Sequence, residues 1–223
     1  MSGLYEYRIK KDHIRERLNK YTKKAFLLLP KYKNPSILDI GCGTGVATVE
    51  LAKLSKGHVT GIDIDETSLD LLQRKIKKNK LDDQIRVLNE SILTMDFPEE
   101  SFDIIWAEGS LFVFGYEMSL KKWRCFLKPN GFLVAHDENK DITKKLEAIP
   151  KYGYKKIYHF EISDRLWWIE YYVPLKHLIQ EFQLKYPNEP DLKNELQKDL
   201  REIDSCKSKT VVCSSFFSVL QKI

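Results

Sequence analysis

A doubly wound, mostly parallel α/β sheet is predicted by three features of the sequence. Apolar segments of strand length alternate with amphipathic helical segments from Ser36 to about residue 138. The first of these strands, SILDIG, leads directly into a glycine-rich turn, Gly41-Cys42-Gly43-Thr44-Gly45, which opens a helix. The second, HVTGIDI, carries an acid, Asp63, at its carboxyl end. Alternation of this kind builds βαβ units, whose right-handed crossovers lay helices on both faces of a parallel sheet.

The elements follow in order. Ile14, Leu18, Tyr21, Ala25 and Leu28 recur at spacings of three and four, which predicts an amphipathic helix over residues 9–29. Pro30 and Pro35 then break the chain. After the first strand (36–41), VATVELAKLS (46–55) is helical and ends near Gly57. HVTGIDI (58–64) is rich in β-branched residues and reads as a strand. Asp65 is placed to cap ETSLDLLQRKIKKN (66–79), whose acids come first and lysines last, as the helix dipole prefers. QIRVLN (84–89) and SFDIIWAEG (101–109) are the third and fourth strands. YEMSLKKWRCFL (116–127) is helical, stopped by Lys128-Pro129-Asn130-Gly131, and GFLVAHDE (131–138) is the fifth strand.

After residue 140 the rhythm changes. DITKKLEAIPKYG (141–153) is helical up to Pro150, YKKIYHFEI (154–162) alternates as a strand, and TVVCSSFFSVLQK (210–222) alternates again. The expected layout pairs these last two strands at one sheet edge. Residues 164–208 then form a helical insertion between them, lying over the sheet as a cap. This describes one domain over 1–223: an N-terminal helical region (1–35), a core sheet (36–163 and 209–223) and the cap insertion (164–208).

Composition sets outer bounds. Hydrophobic residues are 43% of 223 and aromatics 12%, enough to build a core and to exclude global disorder. The net charge of +5 is only mildly basic and does not by itself call for nucleic acid. The lysine clusters at 75–80 and 121–123 fall on predicted helices, where a solvated face explains them. No apolar stretch reaches the length of a membrane span, and the first twenty residues are charged throughout, without the apolar core of a signal peptide. Cys42, Cys125, Cys206 and Cys213 show no CxxC spacing, so all four are expected as reduced thiols in a cytoplasmic protein with no metal site. The oligomeric state is left open.

The glycine turn carries the chemistry. It joins a strand to a helix, where backbone N–H groups can face a polar or anionic ligand. A phosphate-binding P-loop needs Gly-Lys-Ser/Thr at its end, and here Gly45 is followed by Val46-Ala47. A dinucleotide fingerprint is GxGxxG, whereas this turn is GxGxG. Asp39, two residues before the first glycine, would repel a pyrophosphate but would receive an ammonium. Asp63, eighteen residues after Gly45, can accept both hydroxyls of a ribose. The ligand so described has a ribose, an amino-acid tail and no phosphate.

These segments, LDIGCGTG, VTGIDID, FPEESFDIIWAEG and FLKPNGFLVAHDE, resemble in order the motifs of the class I S-adenosylmethionine (SAM)-dependent methyltransferases over residues 36–138. The resemblance implies the Rossmann-like methyltransferase fold and SAM as cofactor, with S-adenosylhomocysteine (SAH) as product. It implies that Asp39 and the backbone of Gly41, Cys42 and Gly43 hold the methionine part, that Asp63 takes the ribose, and that Ile64 packs on the adenine. Where the family commonly has an acid after the third strand, this chain has Ser91. Glu90, Ser91 or the N–H of Ile92 would then meet the base.

The acceptor is less legible. Glu108, at the end of the fourth strand, is a candidate either to steer and deprotonate an acceptor or to bind the cofactor ammonium. His136 and Asp137 end the fifth strand on the same rim. Trp167, Trp168, Tyr171 and Tyr172, with Glu170, are candidates to line an acceptor pocket; core packing of the cap would equally explain them. The fourth strand lacks the Asn/Asp-Pro-Pro-aromatic step that holds exocyclic amines, and no Pro-Cys pair for attack on cytosine is present. The resulting expectation is a methyltransferase acting on a small molecule. A nucleic-acid methyltransferase, or a SAM-binding module without catalysis, are the alternatives.

Overall fold

A computed structural model of the chain describes residues 2–208 and 210–223. Met1, in the expected N-terminal region, and Lys209, at the start of the expected last segment, lie outside the described residues. The chain forms two compact units. Lys20–Glu161 with Phe216–Ile223 form a sheet unit, and Met1–Asn19 with Ile162–Ser215 form a helical unit.

The sheet has seven strands: β1 (Ser36–Ile40), β2 (His58–Asp63), β3 (Ile85–Asn89), β4 (Phe102–Glu108), β5 (Leu127–Glu138), β6 (Tyr154–Ile162) and β7 (Ser215–Lys222), in the order β3-β2-β1-β4-β5-β7-β6. The first five pair in parallel. The chain starts in the middle of the sheet, winds out to β3, and returns past β1 to β4. The switch point therefore lies between β1 and β4, where ligands bind in open α/β sheets. The last two strands are neighbours at one edge, as expected. Lys222, at the end of β7, reaches the Leu127 carbonyl at the start of β5, while Ser218 reaches Ala135, so β7 runs against β5 and the sheet is mixed.

Local signals placed several elements to the residue. Helices α3 (Val46–Ser55) and α4 (Glu66–Asn79) occupy their predicted spans, and the Asp65 carboxylate accepts the Thr67 N–H as the N-cap. Four expectations need correction. The single helix over 9–29 is instead α1 (Gly3–Arg15), a tighter turn at Glu16–Leu18, and α2 (Asn19–Phe26). It begins early because Ser2 caps Tyr5 N–H and the Glu189 carboxylate accepts Gly3 N–H, satisfying donors a helix start leaves open. Lys128-Pro129-Asn130-Gly131 does not precede the fifth strand but lies within β5. The register shifts there between Phe102 and Ile104, and Asn130 takes φ +61°. The last strand begins at Ser215, not Thr210. Finally, Cys206 and Cys213 form a disulfide; Cys42 and Cys125 are the free thiols among the described residues. The fold brings the end of α9 (Pro190–Lys207) back beside Cys213, a pairing that spacing alone did not announce.

One core of the sheet unit packs Leu38, Ile40, Ile105, Ala107, Leu133 and Ala135 against Leu120 and Trp123 of α5 (Tyr116–Trp123) and, beyond α6 (Ile142–Ala148), against Ile149. The helical unit packs α1 against α7 (Asp164–Trp167), α8 (Val173–Lys185) and α9 around Tyr7, Ile14, Leu175, Phe182, Leu196 and Ile203. The Asp199 carboxylate, 2% exposed, accepts from Tyr7 (2.6 Å) and from Lys11 (2.7 Å), so this buried charge is paired as burial requires.

Candidate active site

Side chains alternate along a strand, so register decides which groups meet. Asp39 is in register with Trp106, and Glu108 with His136. Asp39, Glu108 and His136 therefore share one face of the sheet, at the carboxyl ends of three adjacent strands. Asp137 points to the opposite face and is ion-paired with Lys145 at 2.7 Å. The structure thus unites three of the expected rim residues and separates the fourth.

Asp39 is 2% exposed and accepts a hydrogen bond from Thr48 Oγ1 at 2.6 Å. Burial pushes its carboxyl up to about 7, and the neighbouring Glu108 and Asp63 carboxylates push the same way, against the Thr48 bond. Glu108 is held by two donors on Oε1: Thr22 Oγ1 of α2 at 2.8 Å and Trp106 Nε1 at 2.7 Å. The indole is buried between Phe26 and Phe217, so it cannot easily swing away. His136 stacks on Phe217 with ring centroids 4.5 Å apart.

The glycine turn is shaped by backbone needs. Gly41 and Gly45 have φ of +73° and +80°, where a side chain is strained. A Cβ on Gly45 would collide with Leu72 of α4, and one on Gly41 would lie 2.7 Å from Ser110 Cβ. The N–H groups of Gly41 and Cys42 both bond Ile62 O at 2.9 Å, and the Gly43 N–H bonds Asp63 Oδ2 at 2.8 Å. These donors, expected to face a ligand, instead pin the turn to the end of β2. Asp63 Oδ1 accepts the Asp65 N–H as well. Cys42 is buried, close to Gly61, and burial raises its thiol pKa. Ile64 is 69% exposed immediately beyond Asp63. Glu90 N–H bonds Asp63 O, Ser91 Oγ accepts Leu93 N–H, and Ile92 comes within reach of the glycine turn. The loop after β3 therefore lies beside the loop after β1.

Ser110 was not anticipated. It is 4% exposed, abuts Gly41, and its hydroxyl has no partner among the described residues. A buried hydroxyl left without a bond is costly, and its position against the glycine turn suits a polar ligand atom. Thr22, Thr48 and Trp106 were also missed, because nothing in a single sequence ties them to Asp39 or Glu108.

In the helical unit, Tyr171 and Tyr172 are buried in the core, and Trp167, Trp168 and Glu170 are half-buried. Residues Trp168–Tyr172 wind as a wide π turn, so the α-helical spacing that set two aromatic pairs on separate faces does not hold. Trp167 Nε1 donates to Ser215 Oγ, and Tyr172 donates to Glu202.

A family model described as a methyltransferase domain matches residues 37–131, the span from β1 into β5 that holds the glycine turn, Asp63 and Glu108. Over that span the chain is similar to the class I SAM-dependent methyltransferases. A protein of Haemophilus influenzae described as uncharacterized is 33% identical over 108 residues, covering 47% of this chain and 43% of that protein. Sterol 24-C-methyltransferase ERG6B of Gibberella zeae is 30% identical over 102 residues, covering 45% of this chain and 27% of that enzyme. The chain thus spans less than half the length of these curated relatives. In fold it is similar to a SAM-dependent methyltransferase from Geobacter sulfurreducens solved with SAH, with TM-score 0.71 at 13% identity, covering 93% of this chain and 90% of that one. No helix among the described residues is long and apolar enough to cross a membrane.

The residues present fit the family's cofactor. A buried acid suits an ammonium, the partnerless Ser110 hydroxyl suits a carboxylate or amine, and Asp63 with exposed Ile64 suits a nucleoside.

Proposed function

We propose that this protein transfers a methyl group from SAM to a small-molecule acceptor held beside Glu108. The observation that carries the reading is the meeting of Asp39 and Glu108 on one sheet face, with the Ser110 hydroxyl turned to the glycine turn. When bound, SAM supplies an electrophilic methyl on its sulfonium. Asp39 receives the cofactor ammonium, and Ser110 bonds its amino-acid end. Asp63 takes the ribose hydroxyls, exchanging its Gly43 bond for them, and Ile64 covers one face of the adenine. Glu90, Ser91 and Ile92 border its edge. Gly41, Cys42 and Gly43 act by holding the turn open.

With Asp39 on the cofactor, Glu108 is left for the acceptor. Its two donors fix the carboxylate in place, which favours orienting an acceptor over sweeping through solvent. A carboxylate beside the His136 ring suits an amine or hydroxyl acceptor, whose proton Glu108 takes as the new bond forms. Asp137, tied to Lys145 on the other face, is not assigned a part. Trp167, Trp168, Glu170, Tyr171 and Tyr172 belong to the helical unit, where Tyr171 and Tyr172 serve its core, and none is assigned a part in the transfer. The relative named for a sterol supports a small-molecule acceptor in class, without naming this one.

Calorimetry with SAH should give micromolar binding, on the order of −8 kcal/mol. Labelled SAM with a metabolite extract should then yield a labelled small product. Binding of NAD in place of SAH would refute the cofactor assignment. Label appearing only in nucleic acid would refute the acceptor class.

A further inference from the structure

The helical unit contains an open cleft of about 490 Å³ between α1 and α8. Its walls carry Lys10, His13 and Arg17 from the first helical stretch, and His177 and Glu181 from α8. The spacings explain the convergence. Positions 10 and 13 follow i, i+3 on α1, Arg17 follows in the tighter turn at Glu16–Leu18, and 177 and 181 follow i, i+4 on one face of α8. The floor is apolar: Ile14, Val173, Pro174 and Leu178.

The charges do not cancel. Lys10 is neutralised by Glu181 at 2.6 Å and Glu6 at 3.6 Å. Glu181, the one acid lining the cleft, is therefore already used. Arg17 has no ion-pair partner among the described residues, and His13 and His177 add imidazole donors across from one another on the two helices. A solvated helix face explains scattered charges, but not one excess guanidinium and two imidazoles gathered over an apolar floor.

We propose that this cleft is a second small-molecule site, sharing no residue with the methyl-transfer site. It takes an oxyanion, phosphate monoester or carboxylate, carried on a short aliphatic body. The guanidinium grips the oxyanion through two parallel N–H bonds, which suits Arg better than any other side chain. The imidazole N–H groups of His13 and His177 complete its ring of donors. The aliphatic body covers Ile14, Val173 and Leu178, and the volume falls within the range of small-ligand sites.

The test is proton NMR of the histidine rings in the full chain, titrated with hexyl phosphate at constant pH. The chain has five histidines, and His13→Gln and His177→Gln assign the two of interest. Hexyl phosphate should shift both saturably, hexanoate should do so more weakly, and hexanol should not. Arg17→Gln, at an exposed position, should weaken binding at least fivefold with an unchanged circular dichroism spectrum. Binding of SAH should be the same in wild type and Arg17→Gln. No response at His13 and His177, an equal response to hexanol, or full binding by Arg17→Gln would each overturn the proposal. So would binding to phosphatidic-acid vesicles without any response to soluble hexyl phosphate, which would make the cleft a lipid-surface contact.

Discussion

If Asp39 receives the cofactor ammonium, as proposed, its buried carboxyl makes cofactor affinity depend on pH with a predictable sign. In the ligand-free protein burial holds its pKa up to about 7, so near neutrality it is only half ionised. An ammonium binds the ionised form. Apparent affinity is therefore scaled by the ionised fraction, which for a pKa of 7 is about 3% at pH 5.5 and about 50% at pH 7. Binding of SAH should strengthen about 16-fold over that interval, or about 1.6 kcal/mol. Measurement stays below pH 7 because the ligand's own α-amino group titrates at about 7.8 and would then reverse the trend. Calorimetry in two buffers of different ionisation enthalpy should show proton release, approaching one proton per ligand at the acid end. Asp39→Asn should bind more weakly and lose the slope. A flat profile in the wild type would refute the reasoning: Asp39 would then be ionised without the ligand, or out of reach of its ammonium. The same shift has a consequence for stability. The folded pKa lies well above the ordinary value of an aspartate carboxyl. The folded state therefore holds the extra proton, and Asp39's contribution is greatest at low pH and is lost as pH rises through 7. The ligand-free protein should melt lower at pH 7.5 than at pH 5.5 by a margin that Asp39→Asn reduces.

Three further outcomes are expected. Asp63→Ala should weaken SAH binding by roughly 1.5–3 kcal/mol, since bonds to a charged acceptor are lost and the Gly43 N–H is released with them; wild-type affinity by calorimetry would reduce Asp63 to a turn-holding role. Glu108→Gln should leave SAH affinity within about threefold, roughly 0.7 kcal/mol, while turnover falls strongly; equal loss of both would place Glu108 on the cofactor. Cys206→Ser should lower the stability of the helical unit by about 2.5 kcal/mol, the chain-entropy value for so short a loop, and wild type with reductant should follow it in thermal melts; coincident melts of the wild type with and without reductant would show that the bond adds nothing.

The spans of α3, α4 and β6 were legible in the residues because caps, dipole order and alternation act within a few positions. The glycine turn and Asp63 were legible for the same reason: a backbone that needs φ above zero writes glycine at fixed spacing. Their neighbours were not. Thr22 reaches Glu108 across 86 positions, and the Ser110 side chain meets Gly41 only when the loops after β1 and β4 are set side by side. His136 joins Glu108 while Asp137 turns away because register, and with it the facing of every side chain, is set by the partner strand. Tyr171 and Tyr172 are buried together because a wide turn replaces the helical period, and Cys206 finds Cys213 because α9 ends beside the chain that leads into β7. Periodicity and capping are properties of a local segment and can be read along it. Pairing, burial and the shift of a carboxyl's pKa belong to groups that are distant in the chain, and they exist only once the backbone has brought those groups within a few ångströms.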